Sequence, residues 1–507
     1  KKDAQKMKTI YSILEKTSKL FPDKFALQFK DRRYTYQQIK EKSDLVKSCL
    51  IENTDLQDSI CLMMENSDNW LFTYFGILGA GCICNPLDLK ASEENIFKQV
   101  DFLKPKLVIV SQRFYHKALR IGLDKISNIL IIEDILKVTS LKEGSLEKQD
   151  QERDLTDAKY STVMFTSGTT GSQKAIRVEN EVVYQATNNI VEYLKIRYCD
   201  IYYAILPFSH SFGLGNVHVT FKQGGTVIIA DNTINLKKVL QEISNYRASF
   251  FCATPYTLKL ITNNFLTDFI KAGDSLRIIC TNTGPMDPEV TKTIITNLKK
   301  TLFFTYYGLT EASRSTFHCF NLYPEKLGSV GKPAPNVKIN ILDDQDAPVN
   351  QGEVGEILIK GNHVVSGYYG DEELNKKIFT DGWMRTGDMG KLDVDGFLYV
   401  LGRFDDLITL AGERVSLSEI DKVIQQLNFV ADVGCIDIGT DPDKKILAQV
   451  VLGEEVPAQI DPETEILAHC RKSLEIFKVP KKIRIVDSVP RTDSGKLKRK
   501  ELRPNGN

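Results

Sequence analysis

The sequence predicts an α/β protein: a large amino-terminal domain of layered sheets and helices with a small β-rich subdomain, then a small α+β carboxy-terminal domain. Three observations carry this reading. Short apolar runs alternate with longer amphipathic stretches, the pattern of helices layered on largely parallel sheets. The texture changes after about Pro333 to dense turn chemistry between short strands. Beyond Arg403 a strand–helix alternation of about 100 residues fits one compact domain.

In chain order, Leu107–Val110, Ile129–Ile132, Val163–Phe165, Thr226–Ala230, Arg277–Cys280 and Leu302–Thr305 read as strands. Glu181–Leu194 reads as a helix, and so does Leu236–Tyr246, where Leu236, Val239, Leu240 and Ile243 recur at helical spacing. Val337–Leu342 and Gly355–Lys360 read as strands around a polar turn at Asp343–Gly352. Phe397–Leu401 forms a short strand ending at Gly402-Arg403. Next come a helix at Leu417–Leu427, strands at Val430–Ile438 and Ile446–Leu452, a helix at Pro462–Leu474 and a last strand at Lys482–Val486. The expected domains are residues 7–402, with the β-rich subdomain at about 333–402, and residues 403–507. No proline- or glycine/serine-rich linker marks the joint, and no repeat interrupts the chain.

The 507 residues hold 66 lysines and arginines against 66 aspartates and glutamates, so no basic face for nucleic acid is expected. Apolar residues make up 42 %, enough for a large core. The ten cysteines are scattered, with no paired ligand spacing for structural zinc. They read as reduced thiols of a cytoplasmic protein. No signal peptide opens the chain, and no run of about 18 apolar residues suits a membrane span. Met7 reads as a possible natural start, which leaves the origin of residues 1–6 open.

Tyr160–Lys174 reads YSTVMFTSGTTGSQK. A strand runs into Thr166, Ser167, Gly168, Thr169, Thr170 and Gly171, then Lys174. Glycines let backbone amides approach an anion, hydroxyls add donors, and Lys174 adds a mobile charge. Together they suit a polyphosphate. The P-loop of nucleotide hydrolases needs glycine directly before its lysine and Ser/Thr directly after, whereas Gln173 and Ala175 flank this one. Taken alone, the run is equally an ordinary polar turn.

TSGTTGSQK resembles the signature loop of the adenylate-forming superfamily: acyl- and aryl-CoA synthetases, peptide-synthetase adenylation domains and luciferase. The other blocks of that family follow in order. They are Leu206–Leu214 (LPFSHSFGL), Tyr306–Ala312 (YYGLTEA), Gly382–Asp388 (GWMRTGD), Tyr399–Asp406 (YVLGRFDD), Gly412–Ile420 (GERVSLSEI) and Pro490–Lys498 (PRTDSGKLK). The resemblance spans nearly the whole chain from about Tyr11.

It implies activation of a carboxylic acid, of aryl or fatty acid type, by ATP and Mg²⁺. An acyl-adenylate forms, pyrophosphate leaves, and the acyl group passes to a pantetheine thiol. Tyr307 is the family tyrosine that stacks on adenine. Gly284 and Pro285, in a looser match, cover the other face. Tyr306 stands where many relatives carry asparagine, and Gly308 follows in the same block. Thr310 contacts phosphate, and Glu311 ligates Mg²⁺, a hard cation suited to carboxylate oxygen. Asp388 accepts from the ribose hydroxyls, Arg403 lies near ribose and phosphates, and Tyr399 opens that block. His210 lines the carboxylate pocket. Lys496 bridges carboxylate and α-phosphate from the small domain, which rotates after adenylation about Asp405. The Gly412 loop then serves the thiol. The chain departs from the family's commoner proline at Gln173.

The stretch Ser209–Gly213 carries no acid to hold a substrate ammonium, which argues against an α-amino acid. Pocket lining is expected from Phe208–Leu214, Phe251–Pro255 and Thr281–Pro285. Coenzyme A is the first acceptor expected. A separate acyl carrier protein bearing phosphopantetheine is the alternative, since no carrier domain follows Asn507. A catalytically silent nucleotide-binding homologue is the alternative of another class, and loss of Lys496, Glu311 or Asp388 would favour it. All three are present.

Overall fold

The computed structural model describes residues 8–142, 153–167, 173–403, 407–410, 413–439, 444–453, 456, 461–491 and 497–502. These residues fall into two compact units. One holds the described residues up to Thr166, with Gln173–Ile339 and Ile359–Met384. The other holds Asn340–Leu358 and the described residues from Arg385 onward.

The first unit contains two large sheets. One has nine strands, in the order Lys332–Pro333, Thr316–Cys319, Leu302–Tyr307, Ile278–Thr281, Phe250–Cys252, Ile201–Ala204, Thr226–Ile229, Phe25–Phe29 and Arg32–Thr35. From Leu302–Tyr307 to Phe25–Phe29 every neighbouring pair is parallel, and the flanking strands are antiparallel. The second sheet has six strands, in the order Asn128–Ile131, Leu107–Val110, Ser59–Met63, Ile83–Pro86, Tyr160–Ser167 and Gln173–Glu179. Central strands of both sheets read as apolar runs and are buried throughout: all four residues of Leu107–Val110 in the second sheet and of Thr226–Ile229 in the first are buried.

Helices follow the predicted periodicity. Leu236–Asn245 buries Val239, Leu240 and Ile243, and the Asn235 side chain caps its start by accepting from the Lys238 amide. Asn180–Leu194 buries Ala186, Ile190 and Leu194 and ends at Lys195 in the left-handed region. The helix Ile132–Lys142 begins where a strand was expected to end, its first residue following directly on Ile131.

The second unit is β-rich and then α+β, and it groups Asn340–Leu358 and Arg385–Arg403 with the later residues, whereas the sequence reading placed the β-rich subdomain with the amino-terminal domain. Trp383–Leu392 pairs antiparallel with Leu398–Arg403 in a five-stranded sheet that also contains Lys338–Leu342 and Gly355–Lys360. Further on, Val430–Ile438, Lys445–Leu452 and Lys482–Ile485 form a three-stranded sheet. The helices Leu417–Ile424 and Pro462–Ser473 share its core through Ile420, Ile424, Ile466 and Cys470.

Candidate active site

In open parallel sheets, ligands bind outside the carboxyl ends of the strands. Four neighbouring parallel strands of the nine-stranded sheet deliver sequence blocks to that edge. Ile201–Ala204 leads to Leu206–Leu214, Phe250–Cys252 to Pro255, Ile278–Thr281 to Gly284-Pro285, and Leu302–Tyr307 to Gly308–Ala312. Sheet order thus gathers segments separated by up to about a hundred residues. Gly284 and Pro285 are exposed there.

The turn after Leu302–Tyr307 is tight. A Cβ on Gly308 would lie 2.4 Å from the Arg314 amide nitrogen, so only glycine fits. The turn closes with Ser315 N–H donating to Tyr307 O at 2.8 Å. It presents Thr310 half-buried and Glu311 buried.

The segment Val364–Tyr369 ties this turn to the strand Gln173–Glu179. Val365 N–H donates to Glu311 O at 2.9 Å, and Tyr369 N–H donates to Ala175 O at 2.8 Å. Between these anchors the Tyr368 hydroxyl donates to Glu311 Oε1 at 2.7 Å. Lys174 Nζ lies 5.1 Å from the centre of the same tyrosine ring. One phenol therefore positions the expected metal carboxylate and the expected phosphate lysine together.

His210 stands at the N-cap position of the helix Ser211–Lys222, where its side chain makes no capping bond; the side chain is 48 % exposed and places Nε2 3.2 Å from Asp88 Oδ2. Burial pushes the Asp88 carboxyl up, but the His210 bond and the Lys90 amide outweigh it and hold the carboxyl below its usual range. Asn66 pins the block from behind: its amide donates to Leu206 O at 2.8 Å, and its carbonyl accepts from Phe208 N–H at 2.9 Å.

Tyr306 and Tyr307 are both buried, and alternation along the strand turns them to opposite faces. The Tyr306 ring packs edge-on against Phe212 at 5.4 Å, and its hydroxyl has no hydrogen-bond partner. In the second unit, Asp388 pairs with Arg403 across two antiparallel strands, Nε to Oδ1 at 2.8 Å. Arg403 also donates to Thr386 O at 3.0 Å. Tyr399 is not gathered to that pair. It sits four residues back along the strand, about 13 Å by strand rise, and its hydroxyl donates to Asp393 at 3.5 Å.

Gly168, Thr169, Thr170, Gly171, Asp405, Gly412 and Lys496 lie outside the described residues, as do the side chains of Thr166 and Ser167. Sequence reading named neither Tyr368 nor Asp88. Their partners stand 57 and 122 positions away, and no local spacing signals such pairs.

A model for AMP-binding enzymes matches residues 14–369, and one for the AMP-binding enzyme C-terminal domain matches residues 419–496. The 2-succinylbenzoate–CoA ligase of Bacillus velezensis is 27 % identical over 493 residues, covering 96 % of each chain. The enzyme of the same name from Bacillus cereus is 26 % identical over 510 residues, covering 98 % of each. The solved O-succinylbenzoate coenzyme A synthetase of Bacillus subtilis in complex with AMP has a TM-score of 0.86 at 25 % identity. That likeness covers 97 % of this chain and 98 % of the other. The same Bacillus subtilis enzyme has been solved with ATP and magnesium ion, at a TM-score of 0.85. The resemblance of the motif blocks thus extends along the chain and through the fold: this protein belongs to the AMP-binding enzyme family.

Proposed function

We propose that this protein is an acid–thiol ligase that adenylates a carboxylic acid with ATP, releases pyrophosphate and transfers the acyl group to coenzyme A. One observation carries the reading. The carboxyl edge of the nine-stranded sheet gathers the acid-pocket, adenine and metal blocks, with Glu311 and Lys174 ordered by one tyrosine.

The metal fits this arrangement. Among the described residues, no group of three or more His, Cys, Asp or Glu could cage an ion. Mg²⁺ prefers one or two carboxylates plus phosphate oxygens and water. Glu311 is a carboxylate of that kind, held at one oxygen by Tyr368. Bound Mg²⁺ would supply charge neutralisation on the phosphates.

The remaining roles are assigned to this chain's own groups. The Thr166–Gly171 loop and Lys174 hold phosphate. Tyr307, with Gly284 and Pro285, encloses adenine. Asp388 accepts from ribose while Arg403 fixes its other face. His210, steered by Asp88, borders the reacting carboxylate. Lys496 delivers the charge that stabilises adenylation, from the domain of residues 403–507. Asp405 is the hinge and Gly412 marks the thiol-side loop. Among the described residues no helix is long and apolar enough to cross a membrane. All ten cysteines are free thiols, which supports a cytoplasmic setting.

The names of the relatives make 2-succinylbenzoate the first acid to test. A panel of carboxylic acids with ATP, Mg²⁺ and coenzyme A should yield AMP and an acyl-CoA of the expected mass for the best acid. Thioester formed only on a phosphopantetheinylated carrier protein would move the acceptor. ATP consumption indifferent to every acid would contradict the reading.

A further inference from the structure

Three residues past Glu311, Arg314 is 3 % exposed and has a φ of 61°, a conformation rare for a non-glycine residue. Its guanidinium is held only by neutral acceptors. Nη1 donates to Ser211 O at 3.3 Å and Ser313 Oγ at 2.9 Å; Nη2 donates to Ser211 O at 3.3 Å and Phe212 O at 3.2 Å. The carbon of the guanidinium lies 5.0 Å from the centre of the Tyr306 ring. No described carboxylate pairs with it. The neighbouring acid, Glu311, bonds Tyr368 instead. A guanidinium does not lose its charge in a protein, and a buried cation without an anion is costly.

The surroundings make room for this cation deliberately. A Cβ on Gly215, inside the helix Ser211–Lys222, would lie 2.8 Å from Arg314 Nη1 and 2.9 Å from Nη2. Glycine is less favourable than alanine within a helix, and here it opens the helix wall to the guanidinium. Arg314 lines a cavity of about 50 Å³ between this helix and Asn180–Leu194. Thr162, His218 and His363 line the same cavity, each at least nine-tenths buried, and Thr162 Oγ1, His218 Nδ1 and His363 Nδ1 have no hydrogen-bond partner. No Asp or Glu borders it. Orphaned polar atoms, a fixed cation, a few hydroxyls and apolar side chains between them describe a receptor for one small anionic group.

From this arrangement we infer that Arg314 and the cavity beside it receive a second carboxylate of the acid substrate, so that the preferred acids are dicarboxylic. The inference rests on the ligase reading above. The reacting carboxylate must stay open to nucleotide and thiol, whereas the groups around Arg314 are closed from solvent. They suit the end of the acid that does not react. The cavity has room for a carboxylate beside the guanidinium.

The test uses matched acids differing by one carboxylate: suberate against octanoate, and 2-succinylbenzoate against 4-oxo-4-phenylbutanoate. Acid-dependent pyrophosphate release is measured for the wild-type chain, Arg314→Gln, Arg314→Lys and Gly215→Ala, with unfolding midpoints as a fold control. The wild-type chain should prefer the diacid of at least one pair. Arg314→Gln should lower kcat/KM for that diacid about a hundredfold, mainly through KM, as loss of a charged hydrogen bond does. The matched monoacid and the KM for ATP should stay within about threefold, the scale of a change that leaves their contacts intact. Arg314→Lys should recover part of the loss, and Gly215→Ala should reproduce it by displacing the guanidinium. Equal losses on both members of a pair, or a wild-type chain indifferent to the second carboxylate, would overturn the inference while leaving the ligase reading standing. Absence of pyrophosphate release with every acid would overturn both.

Discussion

At the amino-terminal edge of the nine-stranded sheet, Arg277 meets Asp200; at the carboxyl edge, Arg314 meets only carbonyls, a hydroxyl and a tyrosine face. The Asp200 side chain is 2 % exposed and takes Arg277 in two-pronged fashion, Nε to Oδ1 at 3.1 Å and Nη2 to Oδ2. It also accepts from Ser249 Oγ at 2.8 Å and from the Arg197 amide at 2.7 Å. The Arg277–Asp200 pair is thus answered within the chain. The carboxyl edge leaves its Arg314 cation without a described carboxylate and the Nδ1 atoms of His218 and His363 unpartnered. One sheet therefore separates two tasks: the amino edge closes the fold, and the carboxyl edge retains unspent interactions for ligands. Structure that was only stabilising would treat both edges alike.

The largest expected effect breaks the amino edge. Asp200→Ala leaves Arg277 half-buried and unpaired, and removing one partner of a buried pair costs about 3–5 kcal/mol. Denaturant unfolding should register that loss. Activity per folded molecule should hold. Glu311→Gln should do the reverse, lowering adenylation by about 10²–10³, the usual scale for one preorganised charged group, with little change in unfolding midpoint. Tyr368→Phe keeps the ring beneath Lys174 and loses only the bond to Glu311. A fall of about tenfold in kcat/KM, with a raised Mg²⁺ requirement, is expected from one charged hydrogen bond.

The carboxyl edge also carries a pH dependence. Burial, with Arg314 adding to it, lowers His218 to about 3, and burial lowers His363 to about 4. Both are neutral in the folded chain, while the unfolded chain takes up protons near the ordinary 6.5. Below that value the unfolded state binds more protons, so stability is full above pH 6.5 and falls as the pH drops towards these lowered values. Urea midpoints between pH 7 and pH 4.5 should decline, and His363→Gln should flatten the slope whatever it does to the level.

Much of this was legible in the sequence, for identifiable reasons. Parallel strands buried on both faces leave continuous apolar runs, so Leu107–Val110 and Leu302–Thr305 were visible, as was the helix face of Val239, Leu240 and Ile243. The motif blocks gave the order of the site along the chain. Strand order was not readable: Ile201–Ala204 lies between Thr226–Ile229 and Phe250–Cys252, a placement set by packing across the whole sheet. Tyr368 and Asp88 reach their partners only through that packing. Arg314 sits next to a recognised block, yet a charged residue in a loop reads as solvated until its burial and lack of a partner acid are seen.

The central claim is that the carboxyl edge activates a carboxylate. Exchange of labelled pyrophosphate into ATP, with Mg²⁺ and no thiol present, isolates that half-reaction. Exchange that begins only when a suitable acid is added, and disappears in Lys496→Ala, is the result expected. Exchange indifferent to acid, or undiminished in Lys496→Ala, would contradict the account.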